Sequence, residues 1–109
     1  MEKLARSEVR DRFLQFEEQS DRALASVEAD SQASPVLVAV VQEFSRKTKK
    51  AHSGVTDGDA KASWEAIIEV EQAGDSAKVA AEADVHAHEN TRQAVLDAHL
   101  SICLLKAGM

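Results

Sequence analysis

The feature that most constrains the fold is a regular spacing of apolar and small side chains in the first third of the chain. These side chains recur at intervals of four, three, four, three and four residues, namely Val9, Phe13, Phe16, Ser20, Ala23 and Val27. Such spacing lines one face of an α-helix that packs against a neighbour. The residues between them are largely polar or charged, and neither glycine nor proline occurs in residues 2–33. The spacing therefore predicts a helix over about residues 4–29.

The next segment predicts a second helix, although its first residues would also suit a buried strand. Ser34 is placed to cap a helix, and Pro35 suits the first helical position, where its missing N–H costs nothing. The run from Val36 to Val41 is rich in valine. However, a lone strand would leave its backbone groups unpaired, because no second strand is available. We therefore expect a helix from Pro35 to about Lys50, followed by a loop over residues 52–59.

Two further helices are predicted in the second half of the chain. Apolar and small residues again recur at helical spacing, at Trp64, Ile67, Val70, Gly74, Ala77 and Ala81. Because the spacing keeps its phase through Gly74, one helix over about residues 59–88 is favoured over a break at this glycine. Asn90 and Gln93 have the spacing of a capping box, which announces a last, strongly apolar helix up to Ala107.

These patterns predict a single all-α domain over residues 1–109. Helices joined by short loops pack as antiparallel neighbours, so the expected architecture is an antiparallel four-helix bundle. The bundle would have five helices if the chain broke near Gly74. No internal repeat is visible in the sequence.

Composition and charge disfavour several classes of function. The low aromatic content of 4% and the single proline suit helices rather than sheets. A net charge of −6 disfavours binding to nucleic acid or to anionic membranes. The longest apolar run, residues 36–41, is far shorter than the roughly 20 residues that span a bilayer. One cysteine and a start without an apolar signal segment predict a cytoplasmic protein without a membrane partner.

A surplus of apolar helix surface supports the leading functional hypothesis. The beginning of the second helix and most of the fourth are more apolar than packing against neighbouring helices requires. Association with a second copy would bury that surplus at about 25 cal/mol per Å². The sequence thus predicts a non-enzymatic interaction module, a homodimer with no cofactor and no catalytic residue. The predicted interface residues are Val36, Val40, Trp64, Leu100 and Leu104; for Trp64, the register with Ile67 favours the core over the interface.

The alternative hypothesis is a bundle that binds a metal or a small ligand. The candidate ligands are His86, His88, His99 and Cys103. Zinc takes about four nitrogen, sulfur or oxygen ligands in a tetrahedral arrangement, and His99 shares a helix face with Cys103, as Asp84 does with His88. The predicted turn near Asn90 leaves His88 and His99 about 10 Å apart in height, which disfavours one common site. The competing interpretation is that His86 and His88 are exposed near a helix end.

Three further chemistries are compatible with short segments. Lys49, Lys50, His52 and Gly54 are the residue types that histidine phosphotransfer needs, although they lie at a predicted helix end. The basic run over residues 46–50 would contact phosphates, but cations in a last helical turn also complement the helix dipole. Cys103 with His99 as its base would be a nucleophile, whereas a buried structural thiol is the commoner role.

Overall fold

The computed structural model describes residues 3–109, and over this range the chain forms four α-helices in an antiparallel bundle. The helices are α1 (Arg6–Ala29), α2 (Pro35–Thr56), α3 (Ala60–Ala83) and α4 (Glu89–Ala107). Both α1 and α3 pack against α2 and α4. It follows that α1 lies diagonally across from α3, and α2 diagonally across from α4. The predicted all-α architecture is confirmed, with α3 continuous through Gly74.

The start of α2 is as predicted, but its end is not. Ser34 caps the helix, since its Oγ accepts the N–H of Leu37 at 3.1 Å. The helix continues to Thr56, so the predicted loop over residues 52–59 is wrong for its first five residues. Burial of Ala51 and Val55 stabilises this extension.

Two buried aspartates join the two helical hairpins at one end of the bundle, and we call this pair the aspartate clasp. Asp30 follows α1, and its carboxylate accepts the N–H of His88, the residue before α4, at 2.8 Å. Asp84 follows α3, and its carboxylate accepts the N–H of Ser34, the residue before α2, at 2.7 Å. Each carboxylate also accepts the N–H two residues further along its own loop. Each aspartate therefore stabilises its own loop and also binds the backbone of the other hairpin.

The clasp explains two errors in the sequence prediction. The helix expected to run to residue 88 ends at Ala83, because Asp84 takes loop N–H groups that a continued helix would have bonded internally. The capping box expected at Asn90 and Gln93 does not form. Instead α4 begins at Glu89 and has no side-chain cap of its own, and the carboxylate of Asp30 binds the N–H just before it.

The two hairpins of the bundle share a pattern of buried positions that repeats at an interval of 54 residues. A comparison of residue identities does not reveal this repeat. The buried positions of α1, from Val9 to Val27, recur in α3 from Ser63 to Ala81 without exception. Leu37, Val41, Phe44, Thr48 and Ala51 of α2 correspond in the same way to Thr91, Val95, Ala98, Ile102 and Leu105 of α4. Even the contact between Glu17 and His52 has its counterpart, in that between Glu71 and Lys106. The repeat is therefore one of burial and contacts, and the sequence shows no repeat of residue identity.

The core depends on a fit between large and small side chains. All three phenylalanines are fully buried, and the ring of Phe16 lies 5.8 Å from that of Phe13 and 5.6 Å from that of Phe44. Gly74 provides the room for this cluster, since a Cβ at that position would lie 3.1 Å from two atoms of the Phe44 ring.

Gly74→Val is expected to lower the free energy of unfolding by about 1–3 kcal/mol, because the added side chain overpacks the core against Phe44. The measurement is urea denaturation followed by circular dichroism. Ser76→Val is the matched control, since it places the same side chain at an exposed position of the same helix. Equal losses in the two variants would contradict this account of Gly74.

The aspartate clasp is expected to make stability fall at acid pH. Burial alone raises the pKa of Asp30, but hydrogen bonds from His88 and Gln32 outweigh it and leave the pKa below its ordinary value. For Asp84, the hydrogen bond from Ser34 is the largest cause of a lowered pKa. A carboxyl whose folded-state pKa is lowered stabilises the fold above its unfolded pKa, near 4, and loses this effect as the pH falls through the folded value.

Asp84→Asn should accordingly lower the melting temperature at pH 7 and flatten its decline between pH 5 and pH 3. The amide lacks the charge and the full acceptor capacity that three N–H groups require. Asp11→Asn, at an exposed position, is the control and should change neither quantity. A melting temperature of Asp84→Asn that fell as steeply with acid as the wild-type value would exclude this role of the clasp.

Candidate functional site

The outer side of α4 presents a row of leucines, which we call the leucine face: Leu96, Leu100 and Leu104. They follow one another at intervals of four residues, opposite the side of α4 that faces the core. Leu100 and Leu104 are 56% and 58% exposed, and Leu96 is half-buried. Leu96 packs partly against the core, so the exposed part of the leucine face consists mainly of Leu100 and Leu104.

A second apolar surface lies between the start of α2 and the end of α3. We call it the valine groove; it is lined chiefly by Val36, Val40, Val79, Ala80 and Ala83. Val36 and Val79 are each 65% exposed. Because α2 and α4 are diagonal in the bundle, the four aliphatic residues predicted as one interface belong to two separate surfaces.

Trp64 lies apart from both surfaces. It is 40% exposed and lines a cleft with Leu4, Val9 and Met109, where the chain ends meet the start of α3. The expectation that Trp64 packs in the core is therefore wrong. Ser63 takes the buried position, four residues before Ile67 rather than three, and both spacings are compatible with a helix face.

Three potential metal ligands meet between α3 and α4, and we call them the α3–α4 cluster. Asp75 comes from α3, and His99 and Cys103 come from successive turns of α4. The Nε2 atom of His99 lies 2.8 Å from Oδ1 of Asp75 and 3.4 Å from Sγ of Cys103. The side chain of His99 is 13% exposed and that of Asp75 is 60% exposed. The imidazole is therefore nearly buried, whereas the carboxylate of Asp75 is open to solvent.

The geometry of this cluster argues against nucleophilic catalysis by Cys103. A catalytic histidine accepts the proton of the nucleophile on one ring nitrogen while a third group orients it through the other. Here the thiol and the carboxylate both approach the same nitrogen of His99. Burial, followed by the negative charges of Glu71 and Asp75, raises the pKa of the Cys103 thiol. The arrangement therefore favours the protonated, less reactive form of Cys103.

The structure brings together only part of the predicted ligand set. His99 and Cys103 are adjacent as expected, but the loop residue His86 is exposed. His88 lies near Asp30, with 3.6 Å between its Nε2 and Oδ1 of the aspartate, and is 70% exposed. Neither loop histidine joins the α3–α4 cluster.

Asp75 is the member of the cluster that the sequence interpretation missed. The predicted turn near Asn90 would have placed a residue near 81 opposite His99. In the structure the loop between α3 and α4 covers residues 84–88 and is centred on His86, and Asp75 and His99 lie 11 and 13 residues from that position. Antiparallel helices bring residues that are about equally far from a turn to about the same height. A sequence prediction that ended α3 at Ala83 would therefore have pointed to Asp75.

Several of the residues considered for phosphotransfer and phosphate binding contact carboxylates. His52 Nδ1 lies 2.8 Å from Oε1 of Glu17, which places a carboxylate beside the imidazole. Arg46 pairs with Glu43, and Lys47 and Lys50 both contact Oε1 of Glu69. These contacts therefore support neither histidine phosphotransfer nor phosphate binding.

No protein-family model, curated protein or solved structure matches the chain. Within residues 3–109, none of the helices combines the length and the apolar character that crossing a membrane demands. The two apolar surfaces and the α3–α4 cluster are therefore the features of the molecule from which a function can be inferred.

The raised pKa of Cys103 leads to a test of its environment. Iodoacetamide should alkylate Cys103 at pH 7 several-fold more slowly in the native protein than in the same protein unfolded in urea, because only the thiolate reacts. Mass spectrometry over a time course measures both rates on this single cysteine. A native rate equal to or above the unfolded rate would contradict the raised pKa.

Proposed function

We propose that the protein is a non-enzymatic interaction module that self-associates through the leucine face of α4. The observation that carries this proposal is a contrast across the 54-residue repeat. The positions in α2 that correspond to Leu96, Leu100 and Leu104 hold Gln42, Arg46 and Lys50. All three of these α2 residues are exposed. The fold accommodates polar side chains at these positions, which supports a role other than folding for the exposed Leu100 and Leu104.

A second copy of the chain is the partner that suits this surface. The outer side of α4 is uncharged at Gln93, Leu96, Leu100, Leu104 and Ala107, and it carries one carboxylate beside them, that of the exposed Asp97, which accepts a hydrogen bond from Gln93. The chain as a whole carries a net charge of −6, so two copies repel each other unless they meet at a surface of low charge. The leucine face, with one carboxylate at its edge, is such a surface.

The geometry of the row also suits pairing with itself. In a two-fold dimer the same patch of each copy faces the other. Residues at intervals of four form ridges along a helix, and two such ridges interdigitate at a crossing angle of about −50°. The leucine face supplies one ridge per copy, so the pair is self-complementary.

The size of the surface predicts a weak dimer. A helix of 19 residues is about 28 Å long and presents a face about 10 Å wide, or roughly 280 Å². A stable interface buries about 800 Å² per partner. We therefore expect a monomer–dimer equilibrium that depends on concentration in the micromolar range. The proposal places the protein in the cytoplasm, in keeping with a single cysteine and no disulfide framework.

The double variant Leu100→Arg with Leu104→Lys tests the proposal, because it installs the residues that α2 carries at the equivalent positions. Sedimentation equilibrium over a range of micromolar concentrations should show association of the wild type and a weakening of at least about tenfold in the variant. Burial of unpaired cations at the centre of the interface is costly. Circular dichroism should show an unchanged helical content.

The valine groove provides the matched control. Val36→Asn with Val40→Ala again installs the residues of the equivalent positions, here Asn90 and Ala94, and should leave association unchanged. A wild-type chain that stays monomeric throughout the concentration range would refute the proposal. Association that the groove variant abolishes and the α4 variant preserves would assign the interface to the groove instead.

A further inference from the structure

The α3–α4 cluster has the composition of a transition-metal site. It offers one imidazole nitrogen, one thiol sulfur and one carboxylate oxygen, and these atoms all lie within 4.8 Å of one another. We propose that Asp75, His99 and Cys103 bind a single zinc-class divalent ion through Oδ1, Nε2 and Sγ.

Two of the three distances between the ligand atoms are known and lie close to those of a tetrahedral zinc centre. With zinc–nitrogen bonds near 2.0 Å and zinc–sulfur bonds near 2.3 Å, a tetrahedral angle places nitrogen and sulfur about 3.5 Å apart. His99 Nε2 and Cys103 Sγ are already 3.4 Å apart. The nitrogen and the carboxylate oxygen would be about 3.3 Å apart in the same geometry, against 2.8 Å in the hydrogen bond. Asp75 is exposed, so its side chain is free to make this small adjustment.

The donor types select the class of ion. Calcium and magnesium prefer shells of oxygen ligands, and this cluster supplies a single carboxylate. Imidazole and thiolate together suit zinc and its neighbours in the first transition row. On binding, the thiol of Cys103 loses its proton to solvent. Nε2 of His99 gives up the proton that it shares with Asp75 while Nδ1 takes up a proton from solvent, so that the neutral imidazole and the carboxylate each form one bond to the metal. Three protein ligands leave a fourth position for water.

The repeat again provides an internal comparison. The positions equivalent to Asp75, His99 and Cys103 are Asp21, Ser45 and Lys49. The aspartate is present in both halves, but the nitrogen and sulfur ligands occur only in the second half. Ser45 is buried in α2, which indicates that the fold does not need a histidine at this position.

This site does not depend on self-association. The variant with Leu100→Arg and Leu104→Lys keeps all three ligands, so metal binding by that variant and its oligomeric state are measured separately. Failure of the dimer proposal would leave the metal proposal standing, and the reverse is also true.

Titration of the metal-free full chain with Co²⁺ tests the proposal. The wild type should take up one equivalent with a thiolate-to-cobalt absorption band in the near ultraviolet, and Zn²⁺ should displace it and raise the melting temperature. His99→Ser, the residue found at the equivalent position of α2, should lose the band. Asp75→Asn should weaken binding by at least about tenfold, since losing a supporting ligand contact commonly costs that much.

The control is His86→Ser, which alters an exposed loop histidine and should leave the affinity for Co²⁺ unchanged. Absence of the band in the wild type, or equal affinities of the wild type and Asp75→Asn, would overturn the proposal. Asp75→Asn decides the matter if His99→Ser disturbs the helical content, because Asp75 lies on the surface.

Discussion

The bundle depends on two carboxylates buried where its hairpins meet. A buried charge is costly unless hydrogen bonds replace the lost water, and here backbone N–H groups do so. Asp30 binds the chain at the start of α4, and Asp84 binds it at the start of α2. These two contacts align α1 with α4 and α3 with α2. Asp84 also accepts the N–H groups of His86 and Ala87, and so shapes the loop that aligns α3 with α4. That alignment places Asp75 beside His99, so the α3–α4 cluster depends on Asp84.

The 54-residue repeat allows the two halves of the molecule to be compared position by position. Two hairpins share one pattern of burial, yet their outward-facing residues differ. The first half carries charged and polar groups where the second carries the leucine face, and it carries Ser45 and Lys49 where the second carries His99 and Cys103. Both proposals rest on this contrast. The first half folds without the leucines, the histidine and the cysteine at these positions. Their presence in the second half is therefore better explained by a function than by folding.

Periodicity was sufficient to predict the helices and their antiparallel packing, because burial of one helix face is a local property of the sequence. It was insufficient wherever a distant residue decided the outcome. The end of α3 depends on a contact between Asp84 and Ser34, 50 residues apart, and the identification of Asp75 as a ligand depended on that end. Ser63 and Trp64 are both compatible with the spacing of α3, so the choice between them required the packed structure. The repeat escaped notice because equivalent buried positions, such as Phe44 and Ala98, differ in size.

Amide hydrogen exchange at Ser34 and His88 reports whether the aspartate clasp forms in solution. Neither N–H lies inside a helix, so without the clasp both would exchange nearly as fast as in an unfolded chain. The account predicts that both amides are strongly protected in the native protein and that Asp84→Asn removes protection at Ser34 before it does so at His88. Rapid exchange of either amide in the wild type would contradict the clasp, and with it the alignment of α3 and α4 on which the α3–α4 cluster depends.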